Sequence, residues 1–336
     1  MTRRLVPGRA RRWLAFCLVG LWLAVGAGGC ASPADAVAPA TPCPPGPSVV
    51  IVVVDGARYE ETLGDPTLAL IPRIGRELAP AGTTAPNFVN AGLTETLPGH
   101  AAILTGTWQP ISNLGTERPT SPTLFEYQRA ASGLPAPCVV LVGGKAKLAA
   151  LTHSTHPDYG AGVGALADVA DRTDQATWAA LRARLDADHP RLVLLSLSEV
   201  DRAGHTGDVA AYREAIQNAD RIVAAVWAYL RGSDAYRFRS ALIVTNDHGR
   251  SATDLRVHAG DEHSRLIMLV AAGTGVPAGV MLAGEHTQLE VAPTVGVLLG
   301  IATPGAGASP LPGLAPIASG PWRQGFPQVA FRALAR

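Results

Sequence analysis

The sequence has no excess charge of either sign. Its 28 lysines and arginines stand against 27 aspartates and glutamates, so the formal net charge is +1. Proteins that bind nucleic-acid polymers usually carry a basic excess, and none is found here. No acidic block predicts a disordered tail either. The charge balance therefore argues against a nucleic-acid polymer as partner.

The sequence also lacks an apolar run of transmembrane length. An apolar stretch near the start, WLAFCLVGLWLAV, follows the basic MTRRLVPGRARR and precedes GAGGC, within residues 1–30. This stretch is short for a membrane span, and the order of segments is typical of a secretory signal. Cys30 at the cleavage point resembles a bacterial lipobox, although Ala27 stands where leucine is usual. We expect export, to the periplasm or to a membrane through a lipid on Cys30. The alternatives are an ordinary signal peptide or an uncleaved anchor.

Cysteine is scarce, with four residues in the whole chain. Cys17 and Cys30 belong to the signal, which leaves Cys43 and Cys138 in the mature protein. An exported protein meets an oxidising compartment, where a disulfide persists. Both cysteines stand just before apolar runs, so parallel strands would place them at one edge of a sheet. They either form a disulfide or remain two buried thiols.

The chain between its ends alternates strand and helix patterns. Residues 48–56, SVVIVVVDG, form a β-branched run of the kind that is buried on both faces in a parallel sheet. Similar runs occupy 192–198, 241–249 and 265–273, and amphipathic segments occupy 66–78, 122–131, 173–186 and 208–231. This alternation predicts an α/β fold with a mainly parallel sheet. Residues 31–47 are rich in alanine and proline and predict a tether, whereas 303–336 form a tail rich in proline and glycine.

Acidic residues and histidines follow the predicted strands, at the edge where α/β sheets gather functional groups. They are Asp55, Asp201, His205, Asp247, His248 and His258. Each residue alone could belong to an ordinary turn or a surface pair. Such an explanation would have to hold independently at every strand end, which favours one shared functional site instead. Carboxylate oxygen and imidazole nitrogen are ligands for Zn²⁺ and related ions. Six ligands exceed one tetrahedral site and suit two metal ions, which can stabilise both oxygens of an in-line displacement.

The segment NAGLTETLPGH, residues 90–100, contains two candidate nucleophiles, Thr94 and Thr96. A free hydroxyl attacks poorly at neutral pH unless a base, a lowered pKa or a metal activates it. Either threonine therefore needs such a helper. The acidic and histidine cluster would provide the missing metal.

The ordered motifs VVVDG, TETLPGHAAILTG, VDRAGH and VTNDHG resemble the alkaline phosphatase superfamily. The closest branch is that of nucleotide pyrophosphatases/phosphodiesterases and single-domain bacterial alkaline phosphatases. The resemblance covers roughly residues 48–302 and implies a three-layer α/β sandwich as the catalytic domain. Its Thr-x-Pro-x-His pattern fits TLPGH, which makes Thr96 the nucleophile at a helix N-terminus. Thr94 is then expected to be structural, and His100 to pack or hydrogen-bond within the motif.

The resemblance also implies two ligand sets, which we call site 1 and site 2. Site 1 comprises Asp55, Thr96, Asp247 and His248. Site 2 comprises Asp201, His205 and a late histidine. His258 fits that last position best, and His263 and His286 are the alternatives. The expected cofactors are two divalent ions, Zn²⁺ by preference and Mn²⁺ or another ion as an alternative.

Substrate contacts come from the same resemblance. VGGKAKLAAL is similar to a segment that supplies a lysine and an arginine to phosphoryl oxygens; Lys145 matches the lysine, and Lys147 replaces the arginine. Asn113 corresponds to a phosphate-contacting asparagine. The two lysines favour a dianionic phosphate monoester if they face the site. They could otherwise be solvated lysines at a helix start, and Asn113 part of an ordinary turn.

These features predict an exported two-metal hydrolase that cleaves small phosphoric esters through a phospho-threonine, with monoesters favoured. Phosphodiester or pyrophosphate hydrolysis and phosphoryl transfer are alternatives on the same fold. TLPGH has neither the Cys or Ser nor the Arg of the sulfatase motif, which argues against a sulfatase. An inactive binding module is a remote alternative, because no predicted ligand is missing. A lipid at Cys30 would be the chain's contact with a membrane.

Overall fold

A computed structural model describes residues 41–318. The predicted signal, residues 31–40 of the predicted tether and residues 319–336 of the tail lie outside the described residues. The strands are β1 Ser48–Val54, β2 Gly82–Val89, β3 Val139–Gly143, β4 Leu166–Val169, β5 Leu192–Leu197, β6 Ser240–Thr245, β7 Leu266–Gly273, β8 Val280–Met281 and β9 His286–Thr287. The α-helices are α1 Thr96–Thr105, α2 Leu124–Ser132, α3 Asp174–Ala187, α4 Glu199–Thr206, α5 Val209–Gly232 and α6 Val291–Leu299.

The strands form one sheet in the order β4-β3-β5-β1-β6-β7-β2-β8, with β9 also beside β2. All pairs are parallel except those of β7, which runs antiparallel to β6 and to β2. The predicted mainly parallel sheet is confirmed. The pattern of β7 resembles that of the parallel strands because β7 is also buried on both faces, and burial does not encode direction.

Alternate residues of β1 pack into two separate apolar layers, which produces the three-layer sandwich. Val49, Ile51 and Val53 contact the layer that holds α1, α2 and α6. Val50, Val52 and Val54 contact the layer that holds α3 and α5. Successive side chains of a strand point to opposite faces of the sheet. An uninterrupted run of apolar residues therefore contributes to the layers on both faces.

Three of the four amphipathic segments form the predicted helices, as α2, α3 and α5. The segment 66–78 instead forms turns and then a short π-helix at Ile74–Leu78. The Asp65 carboxylate accepts hydrogen bonds from the backbone amides of Thr67, at 2.8 Å, and Ala69, at 3.3 Å. These bonds compete with helical ones, and Pro72 disfavours helical geometry in the residue before it.

Of the two alternatives for Cys43 and Cys138, the structure has the disulfide, with a Cα–Cα distance of 5.6 Å. It closes a loop of 95 residues, for which chain entropy alone gives a stabilisation of about 5 kcal/mol. The amide of Cys43 also donates to the Asp188 carbonyl at 2.7 Å, and Arg191 Nε donates to the Pro47 carbonyl at 2.8 Å. Residues 43–47 of the predicted tether are therefore held against the sheet edge rather than free.

The described part of the predicted tail packs on the domain. The amide of Leu311 donates to Thr294 Oγ1 at 2.8 Å, and the amide of Ile317 donates to the Leu298 carbonyl at 3.0 Å. Both side chains are buried. Within residues 41–318, no helix has the length and apolar character needed to cross a membrane.

Candidate active site

The carboxyl ends of three central strands deliver most of the predicted ligands to one edge. Asp55 follows β1, Asp201 and His205 lie on α4 just after β5, and Asp247 and His248 follow β6. Because β7 is antiparallel, its amino end meets the same edge. The loop that enters β7 brings His258 there as well.

Site 1 contains two buried ligand atoms with no hydrogen-bond partner within residues 41–318, Asp55 Oδ1 and His248 Nε2. A third buried ligand atom, Asp247 Oδ2, has His100 Nδ1 at 3.2 Å, but that nitrogen lies closer to the Thr96 carbonyl, at 2.8 Å. His248 Nε2 lies 3.5 Å from Asp55 Oδ1 and 3.6 Å from Asp247 Oδ2. Unpaired buried polar atoms are costly and therefore rare. Two carboxylate oxygens within 3.6 Å of an imidazole nitrogen fit a cation.

The tautomer of His248 suits a metal ligand. Its Nδ1 lies 2.8 Å from the Gly249 carbonyl oxygen, which can only accept, so the Nδ1 proton is donated there. Nε2 is then left with a lone pair directed at the carboxylates. The other oxygen of Asp247, Oδ1, accepts from the amides of Gly56, at 3.1 Å, and His248, at 2.9 Å.

Site 2 groups Asp201, His205 and His258, whose ligand atoms all lie within 4.8 Å of one another. The ring of His258 stacks on His248 at 4.2 Å and meets His205 edge-on at 5.1 Å. Burial, and then the neighbouring His248, lower the pKa of His258 to about 4. The imidazole is therefore neutral at pH 7, which metal binding requires.

The two sites are less separate than the sequence predicts. Asp55, Asp201 and His248 also have ligand atoms within 4.8 Å of one another, so Asp201 is within reach of both sites. Carboxylates and imidazoles at this spacing fit divalent cations such as Zn²⁺.

Neither alternative to His258 reaches the cluster. His263 Nδ1 lies 3.5 Å from Glu60 Oε1, with 58% of its side chain exposed. His286 Nδ1 lies 2.8 Å from Glu290 Oε2. Neither belongs to a metal-suited group in the part of the chain that the structure describes. The assignment of His258 as a ligand stays a prediction, with this geometry in its favour.

Thr96 is the first residue of α1 and is 2% exposed. The ammonium of Lys145 donates to Thr96 Oγ1 at 3.0 Å, to Asp55 Oδ2 at 2.6 Å and to Asp201 Oδ2 at 2.5 Å. Burial acts to lower the pKa of Lys145, but the carboxylates of Asp55 and Asp201 outweigh burial and raise it. Lys145 therefore stays charged beside the threonine hydroxyl.

The other two predicted substrate contacts lie at the start of α1. Asn113 Oδ1 accepts from the amide of Leu97 at 3.0 Å and from Lys147 Nζ at 2.7 Å. The amide nitrogen of Asn113 is then the group that can donate to an anion. Burial, and then the charge of Lys145, lower the pKa of Lys147.

Arg250 is a site residue that the sequence analysis missed. It is fully buried, and it donates to the Asp201 carboxylate, to the Asp201 carbonyl at 2.8 Å and to the Leu255 carbonyl at 2.5 Å. A Cβ on Gly204 would lie 2.2 Å from Arg250 Nε, so α4 needs glycine at this position. An arginine in a polar loop gives no sequence signal of burial.

Several neighbouring groups affect the pKa of Asp201. Burial acts to raise its pKa, but the hydrogen bond from His205 and the charge of Lys145 hold the pKa well below its usual value. Asp55 behaves oppositely, because burial and then Asp247 raise its pKa to about 6.

Backbone contacts around Asp247 were also invisible in the sequence. Its carbonyl accepts from Asn90 Nδ2 at 2.7 Å and from Gln288 Nε2 at 2.6 Å. The ring of His100 contacts α1 and β5 near the same position. Its Nδ1 lies 2.8 Å from the Thr96 carbonyl, and its Nε2 lies 2.9 Å from Ser196 Oγ. His100 Nδ1 is also 3.2 Å from Asp247 Oδ2.

Residues 107–291, more than half of the chain, match the model of the type I phosphodiesterase / nucleotide pyrophosphatase family. The chain belongs to this family.

Solved structures share the fold. A phosphonate monoester hydrolase from Silicibacter pomeroyi aligns with a TM-score of 0.56 at 15% identity, over 83% of this chain and 78% of that one. A protein of the alkaline phosphatase superfamily from Vibrio parahaemolyticus aligns with a TM-score of 0.55 at 15% identity, over 80% and 70%.

Membership of the alkaline phosphatase superfamily, expected from the four motifs, is thus confirmed. Among curated proteins, a phosphopentomutase of Herpetosiphon aurantiacus is 30% identical over 127 residues, which is 37% of this chain. The match spans 30% of the length of that mutase.

Gly99 lies inside α1 where the helix approaches Asp247 most closely. A Cβ there would lie 2.5 Å from the Asp247 carbonyl oxygen. We expect Gly99→Ala to push α1 from the strand end and to lower the free energy of unfolding by about 1–3 kcal/mol. Urea unfolding followed by circular dichroism measures this loss.

Gly232→Ala is the matched control, because Gly232 is also helical and a Cβ there meets no atom within 4 Å. Equal stability of the two variants would show that the close approach of α1 is unimportant.

Proposed function

We propose that this protein is a metal-dependent phosphoric ester hydrolase with Thr96 as nucleophile. The observation that carries the proposal is the position of the Thr96 hydroxyl. It is buried at the N-terminus of α1, 3.0 Å from the Lys145 ammonium, which also bonds Asp55 of site 1 and Asp201 of site 2. Membership of the type I phosphodiesterase / nucleotide pyrophosphatase family supports the reaction class.

The donor set supports two divalent cations as cofactors. Asp55, Asp247, His248 and the Thr96 oxygen would hold the first cation, and Asp201, His205 and His258 the second. When bound, these ions supply Lewis-acid stabilisation of the attacking and leaving oxygens. Zn²⁺ is the favoured ion and Mn²⁺ an alternative, because both accept nitrogen and oxygen ligands.

The chain's own residues then account for the phosphoryl transfer. Thr96 Oγ1 gives up its proton to solvent and forms a bond to phosphorus while the bond to the leaving oxygen breaks, which leaves a phospho-threonine and an alcohol whose oxygen takes a proton from water. Water attacks this phosphorus, the P–Oγ1 bond breaks, and phosphate departs as the hydroxyl is restored. The start of α1 presents partial positive charge to the phosphoryl oxygens. Lys145, Lys147 and the Asn113 amide add charge and hydrogen bonds at the same place.

Thr96→Ala should lower kcat for aryl phosphate hydrolysis by about a thousandfold or more, since the variant loses the attacking oxygen. The assay uses the purified chain loaded with Zn²⁺, with and without a chelator. Metal content is measured on each sample, so that loss of a ligand is separated from loss of a nucleophile.

Thr96→Ser is the matched control, because it keeps the hydroxyl and should retain measurable activity. Wild-type protein mixed rapidly with substrate should carry one phosphoryl group on the peptide that contains Thr96. Unchanged turnover in metal-loaded Thr96→Ala would sink the proposed mechanism.

We further propose that monoesters are preferred over diesters. A monoester dianion carries one more charge than a diester, and Lys145 and Lys147 both lie at the start of α1 to meet it. Lys147→Met should lower kcat/KM for an aryl phosphate by roughly tenfold to a hundredfold, the loss expected for one charged hydrogen bond.

Hydrolysis of the corresponding diester by the same variant serves as the comparison, and its kcat/KM should fall much less. An equal loss for the two esters would contradict the assignment of Lys147 to the extra charge. Faster wild-type hydrolysis of the diester would reverse the preference itself.

Similarity to a phosphopentomutase favours phosphoryl transfer as a second candidate. A transferase would return the phosphoryl group from Thr96 to a hydroxyl rather than to water. Free phosphate, counted against released aryl alcohol in the presence of a sugar acceptor, distinguishes the two. A one-to-one ratio supports hydrolysis, and a deficit of phosphate supports transfer.

We also propose that the protein is exported and anchored by a lipid at Cys30. The Cys43–Cys138 disulfide supports an oxidising compartment. Cys30→Ser should abolish incorporation of labelled fatty acid and shift the protein from the membrane to the soluble fraction of the cell. Cys17→Ser is the control within the same signal. Equal labelling of Cys30→Ser and wild type would contradict lipidation at Cys30.

A further inference from the structure

Thr94 makes reciprocal contacts with His258, 164 residues away in the chain. Its carbonyl lies 2.6 Å from His258 Nδ1, and its hydroxyl donates to the His258 carbonyl at 2.7 Å. The amide of Gly260 donates to the same hydroxyl at 3.3 Å. Thr94 and His258 are 3% and 8% exposed, so these contacts are largely shielded from water.

The first of these contacts determines the tautomer of His258. A carbonyl oxygen can only accept, so Nδ1 must carry the proton and Nε2 keeps its lone pair. Nε2 is the atom left to join Asp201 and His205. Such partners of metal-binding histidines orient the ring and raise its basicity.

The loop around His258 is exposed along most of its length. Nearly all of its side chains from Ala252 to Glu262 are at least partly exposed, and Leu255 and His258 are the buried exceptions. Upstream, the carbonyls of Leu255 and Val257 accept from Arg250 and from the Ser251 amide, Arg256 donates to the Thr206 carbonyl at 3.0 Å, and Arg58 donates to the Ala252 carbonyl at 3.4 Å. At His258 itself, the carbonyl accepts from the Thr94 hydroxyl at 2.7 Å and from the Asp261 amide of the same loop at 3.4 Å. Thr94 therefore supplies the hydrogen bond that ties His258 to a segment outside the loop.

We propose that Thr94 is a positioning residue that holds His258 in the geometry and tautomer needed for site 2. This inference rests on the metal sites of the proposed function. It assigns a specific task to the threonine beside the nucleophile, which the sequence had left as merely structural. Thr94 lies two residues before Thr96, so one short segment supplies the nucleophile and orients a ligand of the second site.

The test is Thr94→Val, which keeps the shape and the carbonyl but removes the hydroxyl. Isothermal titration of the metal-free protein with Zn²⁺ should show two binding events in the wild type. In the variant, the binding assigned to site 2 should weaken about tenfold to a hundredfold, while that of site 1 is unchanged. His205→Ala identifies which event belongs to site 2.

Two variants control for the loss of a buried hydroxyl. Thr94→Ser keeps the hydroxyl and should bind both ions as the wild type does. Thr105→Val removes another buried hydroxyl from the far end of α1, where it donates to the Ala101 carbonyl at 2.8 Å, and should also bind both ions. Wild-type affinity at both sites in Thr94→Val, or equal weakening at both sites, would overturn the proposal.

A second measurement needs no variant and no metal. Long-range ¹H–¹⁵N correlation spectra of the metal-free wild type should show His258 as the Nδ1–H tautomer. A predominant Nε2–H tautomer would overturn the proposal even if Thr94→Val fails to fold. Failure of the wild type to bind any Zn²⁺ would instead count against the proposed function, and the tautomer would still report on Thr94.

Discussion

Three buried carboxylates, those of Asp55, Asp201 and Asp247, meet at one edge of the sheet, and the rest of the site depends on their charge. Like charges at this spacing cannot stay together in a low-dielectric interior without positive partners. The protein supplies Lys145 between Asp55 and Asp201, and Arg250 against Asp201. Asp55 Oδ1 remains without a hydrogen bond in the described chain, and Asp247 Oδ2 shares His100 Nδ1, at 3.2 Å, with the Thr96 carbonyl. A cation is the partner that would complete this balance.

The scaffold explains why the carboxylates cannot move apart. Asp55 directly follows β1 and Asp247 lies two residues beyond β6, and these strands are paired in register along their length. Asp247 is fixed further because one carboxylate oxygen accepts two amides and its carbonyl accepts two side-chain amides. With one oxygen so engaged, the other is directed at His248. The rigidity of the sheet is thereby passed to the ligand atoms.

The sequence predicts the parts of this site that depend on strand ends. Asp55, Asp201 and Asp247 follow apolar runs, and parallel strands bring such residues to one edge. Other parts depend on contacts between distant segments, which hydrophobic periodicity does not record. The direction of β7 brings the His258 loop to the edge, and Arg250 is buried because Gly204 leaves room for it. The first part of segment 66–78 forms turns instead of a helix for a local reason, since the Asp65 carboxylate and Pro72 oppose helical bonding there.

The two candidate metal sites differ in construction, and the difference follows from charge and mobility. Site 1 combines two carboxylates and a histidine that are all fully buried on strand ends. Site 2 has one carboxylate, already paired with Arg250, together with a half-exposed His205 and a histidine carried by a loop. A cation gains more Coulomb energy from two carboxylates than from one that is partly neutralised. Site 2 therefore relies on the precise placement of its neutral ligands, which is why the contacts of a single threonine with His258 matter to the whole centre.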